Sequence, residues 1–182
     1  MVDLKLIEDC KANDKKAQIE LYRKYNQAMY NIAYRLVQNT EDAEDVIQES
    51  FLNAFKKIHQ FKAEVTFGAW LKRIVINRSI NHFKKNQLAT VGMNEAYHAH
   101  IEMEHNDSKS NKELVLKDVR EAIHTLPEKY KYVVMLYLIE GYDHIEISEI
   151  LNISVAASKT QLMRGKIKLK KALKLKGYGE RS

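Results

Sequence analysis

A single proline, Pro127, and six glycines are the only dedicated turn residues in 182 positions. Sandwiches and barrels need a tight turn at nearly every strand end, and such turns draw on Gly and Pro. Their scarcity predicts an all-α chain. Apolar residues at 45% and charged residues at 30% supply enough apolar surface for a core, which argues against wholesale disorder. The length suits one medium domain or two small ones.

Helical periodicity fills in the elements. From Asn13 as the expected N-cap, Leu21, Tyr25, Ala28, Met29, Ile32, Ala33 and Leu36 recur at three- and four-residue steps, one face of a long helix. Thr40 is the expected cap of the next, with Glu41, Asp42 and Glu44 where the macrodipole favours negative charge. Ile47, Phe51, Ala54, Phe55 and Ile58 form its apolar stripe. Phe61 to Thr66 lacks a period and reads as a loop, after which Trp70, Leu71, Ile74 and Val75 resume the helical spacing.

The period lapses from Asn86 to Asn111, a polar stretch longer than the ~12 to 15 residues usual for a loop within one domain. It reads as an interdomain linker. Val115, Val119, Ala122 and Ile123 restart the pattern, which passes Pro127 and continues through Val133, Val134 and Tyr137. Asp143 with Glu146 spells a capping box ahead of Ile147, Ile150 and Leu151. After an Asn152-Ile153 turn, Ser154 caps a longer helix to about Leu175. Short helix, tight turn and basic helix make helix-turn-helix spacing. Ser148 is the small residue expected where the two helices cross, and Ala156, Ala157 and Ser158 would let the backbone approach DNA. Gly165 inside the helix has no local reason. The expected architecture is two small helical domains joined by a flexible linker, the second containing the helix-turn-helix.

Charge is segregated along this framework. Asn39 to Ser50 holds five acids and no base, Val65 to Asn94 five bases and no acid, and Ser154 to Gly179 eight bases and no acid, within a net charge of +6. Two separate basic segments point to a polyanion, nucleic acid first. In a helix-turn-helix the start of the second helix enters the major groove, which puts Lys159, Thr160, Met163 and Arg164 at base edges and phosphates.

An enzyme finds no support, since there is no phosphate-cradling Gly-rich loop, no paired Cys ligands and no catalytic residue to name. No cofactor is expected. His98, His100 and His105 are the nearest approach to a metal cluster and read better as linker composition, so no metal is expected. The lone Cys10 suits a reducing compartment. With no signal-peptide core in Met1 to Asp9 and no run of ~18 apolar residues, a cytoplasmic protein without membrane insertion is expected.

Three stretches together resemble a bacterial RNA polymerase sigma factor of the two-domain, extracytoplasmic-function type. They are Asp42-Ala-Glu-Asp-Val-Ile-Gln-Glu-Ser-Phe51, Phe67-Gly-Ala-Trp-Leu-Lys-Arg-Ile-Val-Ile-Asn77, and Leu126-Pro-Glu through Glu146-Ile-Ser-Glu-Ile-Leu to Ser158-Lys-Thr-Gln-Leu-Met-Arg164. The resemblance implies a transcription initiation factor that joins core RNA polymerase and directs it to promoters. Its domains would be 1–86 (docking and minus-ten recognition), a linker at 87–112, 113–176 (minus-thirty-five recognition) and a tail at 177–182. Asp45, Gln48, Glu49 and Leu52 would contact the clamp helices of the largest polymerase subunit, and the flap region is a further implied partner.

The loop and helix from Phe61 to Lys85 would capture a base flipped out of the non-template strand. Asn77 matches the family's Asn, Arg73, Arg78, Asn81 and Lys84 would hold the backbone, and Phe61 and Phe67 would line the pocket. Trp70 fits core packing better than a wedge between bases. Lys159, Thr160, Met163 and Arg164 match the minus-thirty-five readers. Ala156-Ala157-Ser158, Gln161 and Gly165 depart from the commoner Gly-Thr-Val, Arg and Ala, which leaves the promoter sequence open. The linker acids Glu95, Glu102, Glu104 and Asp107 would mimic nucleic acid in the polymerase channels, and many relatives are held by an anti-sigma factor. The rival reading is a stand-alone helix-turn-helix regulator, which leaves the acidic helix without a purpose.

Overall fold

The computed structural model describes the backbone of residues 2–90 and 111–178, with side chains at 4–82 and 114–178. It divides into two compact units, Met1–His98 and Ala99–Ser182. The described residues form α-helices and one 3-10 turn, with no strand.

In the first unit α1 (Val2–Lys11) leads into α2 (Lys15–Val37), α3 (Thr40–Lys56), the 3-10 turn Ile58–Gln60 and α4 (Phe67–Thr90). Asp14 rather than Asn13 caps α2, its carboxylate accepting from the Lys16 and Ala17 amides at 2.7 and 3.4 Å. Asn13 sits instead at φ 62° in the left-handed turn before the cap, a conformation that Asn tolerates. Asn39 rather than Thr40 caps α3, accepting from the Asp42 amide at 2.9 Å. In both places two neighbouring residues could cap, and the path of the incoming chain decides between them. Thr66 accepts from the Ala69 amide at 3.2 Å and opens α4 after the loop.

Helices α2, α3 and α4 pack on one another, with α1 laid on α2. Leu21, Ile32 and Leu36 from α2, Val46, Ile47 and Phe51 from α3, and Leu71, Val75 and Ile76 from α4 are buried between them. Ala28, expected on the apolar face, is exposed. Helix α1 was not anticipated. At 10 residues it is shorter than an isolated helix needs to be stable, and it is held by burying Leu6, Ile7 and Cys10. Burial first, then the carboxylates of Asp14 and Asp9, push the Cys10 thiol up to about 11, so it stays protonated and unreactive at neutral pH.

The second unit comprises α5 (Asn111–His124), α6 (Glu128–Leu138), α7 (His144–Leu151) and α8 (Val155–Leu175). The periodic run through Pro127 is two helices, because a proline lacks the amide that would continue the first one. Helix α6 is the unit's centre, with Val133, Val134, Met135 and Leu136 all buried. Gly165 has its explanation here. A Cβ on it would lie 2.5 Å from Val134 Cγ2 and 3.3 Å from Tyr130 Cβ, so α8 crosses α6 at a distance only glycine permits.

The end of α8 is clasped to α5. Lys176 donates to Asp118 at 3.1 Å and to Glu121, and the Tyr178 hydroxyl donates to Asp118 at 2.6 Å. The Tyr178 hydrogen bond, then that from Lys176, hold the Asp118 carboxyl below its usual range, while the bond to Glu121 leads those raising Lys176. Asp118 therefore contributes its full stabilisation above its ordinary value of 3.8 and loses it as pH falls through the lower folded value. Lys176 contributes fully below 10.5 and loses its share as pH rises through the higher folded value. Denaturant unfolding of the full chain should find Tyr178→Phe less stable than the parent at neutral pH, with the difference closing in acid.

Candidate nucleic-acid and partner interfaces

Helix α3 presents two opposite faces. Ala43, Val46, Ile47, Ser50, Phe51 and Ala54 are buried, while Asp45, Gln48, Glu49 and Leu52 are exposed at steps of three, one and three. That spacing gathers the four anticipated docking residues on one stripe. Leu52 is 60% exposed among acids, an apolar side chain with no place in the unit's own core. Asp42 does something else. Its carboxylate meets His82 Nε2 at 2.8 Å, joining the start of α3 to α4, a role absent from the sequence reading of either residue.

Helix α4 carries Arg73, Asn77 and Asn81 at four-residue steps on its outer stripe, Arg73 and Asn81 exposed and Asn77 half-buried. Arg78 lies toward α3, where its Nε meets Glu49 Oε2 at 3.0 Å. An anticipated DNA contact and an anticipated docking residue thus pair in the free chain. An exposed pair of this kind contributes only ~0.2–1 kcal/mol and can be exchanged for other partners. The Lys84 side chain lies outside the described residues, as do His98, His100 and His105 and the linker acids.

Phe61 and Phe67 are buried, at 5% and 3% exposed. Their rings are 5.6 Å apart, each 5.5 Å from the half-buried Trp70 ring, and Phe67 is 5.4 Å from Tyr25. This cluster accounts for Trp70 as a packing residue. Above it opens a depression of about 450 Å³, with Phe61 and Phe67 as floor, Ala63 to Thr66 as rim and Leu4 and Ile7 of α1 on one side. The contribution of α1 had no signal in the sequence beyond its own weak period.

In the second unit the capping box is complete. Asp143 accepts from the Ile145 and Glu146 amides at 2.7 and 2.8 Å, and Glu146 accepts from the Asp143 amide at 2.9 Å. Asn152 at φ 54° makes the turn, and Ser154 accepts from the Ala157 amide at 3.0 Å to start α8. The small residue at the crossing is Ser158, fully buried and 2.9 Å from His144 Nδ1, whereas Ser148 is only half-buried and bonds to Ile145 of its own helix. Ser158 is therefore structural, and of the three small residues Ala156 is the exposed one.

Lys159, Thr160, Met163 and Arg164 are all exposed on α8. Arg164 bears on the electrostatics of Tyr130 in α6. Burial raises the Tyr130 phenol, but hydrogen bonds and charge from Lys129 and Arg164 outweigh it and bring it below its usual range. Ile167 was not anticipated. It is 64% exposed one turn beyond Met163, itself 58% exposed.

No group of three or more potential metal ligands and no helix long and apolar enough to cross a membrane occur among the described residues. Residues 21–89 match Sigma-70 region 2 and residues 116–169 match Sigma-70, region 4. The chain is 31% identical to the ECF RNA polymerase sigma factor SigW of Bacillus subtilis, over 96% of this chain and 98% of the relative. It is 29% identical to the ECF RNA polymerase sigma-E factor of Haemophilus influenzae, over 91% and 92%. Among solved structures, the sigma factor RpoE in complex with the anti-sigma factor NepR from Bartonella quintana shares the fold. Its TM-score is 0.64 at 18% identity, over 85% of this chain and 95% of that one. Two regions in this order, on helices built as described, place the chain in a family: it belongs to the ECF-type RNA polymerase sigma factors.

Proposed function

We propose that this protein acts in the bacterial cytoplasm, docking on core RNA polymerase through Asp45, Gln48, Glu49 and Leu52 of α3 and carrying the enzyme to its promoters. In this reading residues 1–86 dock and open the minus-ten element, 87–112 link, and 113–176 read the minus-thirty-five element. Arg73, Asn77, Arg78, Asn81 and Lys84 hold the non-template strand beside the depression at the 61–66 loop. Lys159, Thr160, Met163 and Arg164 face the duplex. A sigma factor is a transcription initiation factor rather than an enzyme, so the polymerase performs the chemistry and this chain supplies recognition.

The observation that carries the reading is the pair of surfaces of different character in the first unit, which touch at Glu49 and Arg78. The acidic stripe with exposed Leu52 lies on α3 and the polar and basic stripe on α4. An acidic face around an apolar residue complements a basic, amphipathic helix pair, whereas a basic face complements phosphates. A stand-alone regulator has no use for the first. The clamp helices are the docking partner in this reading, and the flap region and an anti-sigma factor are further partners.

Titrating labelled full-length protein with purified bacterial core polymerase should give saturable binding, and promoter-specific transcription should require both components. Specific binding of the isolated chain to duplex DNA with Kd ~10⁻⁸ to 10⁻¹¹ M, without core binding, would favour the stand-alone regulator instead.

A further inference from the structure

The outer face of α8 is apolar along its centre line and basic at its edges. Ala156, Thr160, Met163 and Ile167 follow at steps of four, three and four, all exposed. The Thr160 hydroxyl donates to the Ala156 carbonyl at 2.9 Å, which occupies its proton within the helix. Met163 and Ile167 are 58% and 64% exposed, and neither side chain serves the core against α6. Lys159, Lys170, Lys171 and Lys174 rim this seam, and no acid pairs with them among the described residues.

Exposed apolar side chains inside a cationic rim fit a surface that is anionic at its edges and apolar at its centre. The major groove of duplex DNA has that character wherever thymines lie, since their C5-methyl groups project between two rows of phosphates. We propose that the Thr160–Met163–Ile167 seam reads thymine methyl groups of the minus-thirty-five element. Ile167 thereby becomes a specificity residue, and A·T pairs the preferred sequence at the seam. The inference rests on α8 being the minus-thirty-five reader. From Thr160 to Ile167 the helix advances about 10 Å, which covers about three base-pair steps.

The test uses the full chain bound to core polymerase, with promoters selected from duplexes randomised in the minus-thirty-five region. A·T pairs should be enriched within one window of that length. Replacing thymine by uracil there removes only the methyl group and should lower promoter binding about fourfold per methyl, the factor for one buried methyl-sized group. In Met163→Ala with Ile167→Ala, binding to thymine DNA should fall and the uracil penalty should shrink to what Thr160 alone sustains, with an unchanged melting temperature. Lys170→Ala with Lys171→Ala should weaken both templates alike. Equal binding of thymine and uracil templates by the parent overturns the inference while leaving α8 as the reader. Indifference to both the minus-thirty-five sequence and the lysine pair removes that reading, and the inference with it.

Discussion

Gly165→Ala is expected to lower the melting temperature of the second unit, against the ordinary preference for alanine in a helix. In an unconstrained helix interior the change is worth about 1 kcal/mol in favour of alanine. Here the new methyl would stand 2.5 Å from Val134 Cγ2, and behind it 3.3 Å from Tyr130 Cβ. Valine is β-branched and stiff at χ1, and Val134 is fully buried, so it has nowhere to turn. Overpacking costs about 1–3 kcal/mol, which leaves a net loss of up to about 2 kcal/mol. For a unit of this size each kcal/mol moves the midpoint by about 4–8 °C. Calorimetry of the full chain should show the second unit's transition shifted down and the first unit's unmoved. A higher midpoint would mean that α8 and α6 do not cross as closely as described. Because the added methyl pushes on α8, promoter-specific transcription should also fall while core binding is kept.

The second large effect belongs to α3. Asp45→Lys combined with Leu52→Ala reverses a charge and removes the exposed apolar side chain from the docking stripe. Both positions are exposed, so stability should change by no more than about 0.5 kcal/mol. If the stripe is a binding hot spot, affinity for core polymerase should drop at least about thirtyfold, the equivalent of about 2 kcal/mol. A fluorescence titration against core polymerase measures this directly. Unchanged affinity with unchanged stability would move docking to another face. Glu49 is left intact because its bond to Arg78 would mix a docking effect with a DNA effect.

The pairing of Glu49 with Arg78 shows where reading along the chain stops being sufficient. The family resemblance implies a role for each residue, and both are exposed. That they meet at 3.0 Å depends on how α3 and α4 cross. The same holds for Asp42 and His82, which are 40 positions apart and 2.8 Å from each other. Phe61 and Phe67 were legible as aromatic neighbours of a loop, but their burial under that loop follows from Tyr25 and Trp70 arriving from either side.

The sequence by itself determined the all-helical class, the capping box at Asp143, the span of α8 from Ser154 to Leu175 and the segregation of acid from base. These follow from interactions within a few residues, the range of a helical turn and its caps, so the order of residues is enough. Tertiary structure alone decided that α1 forms, that Ser158 and not Ser148 fills the crossing and that Gly165 is required. Each of these depends on which side chain of a distant helix stands opposite. Distance and crossing angle between helices set that, and no local pattern encodes them.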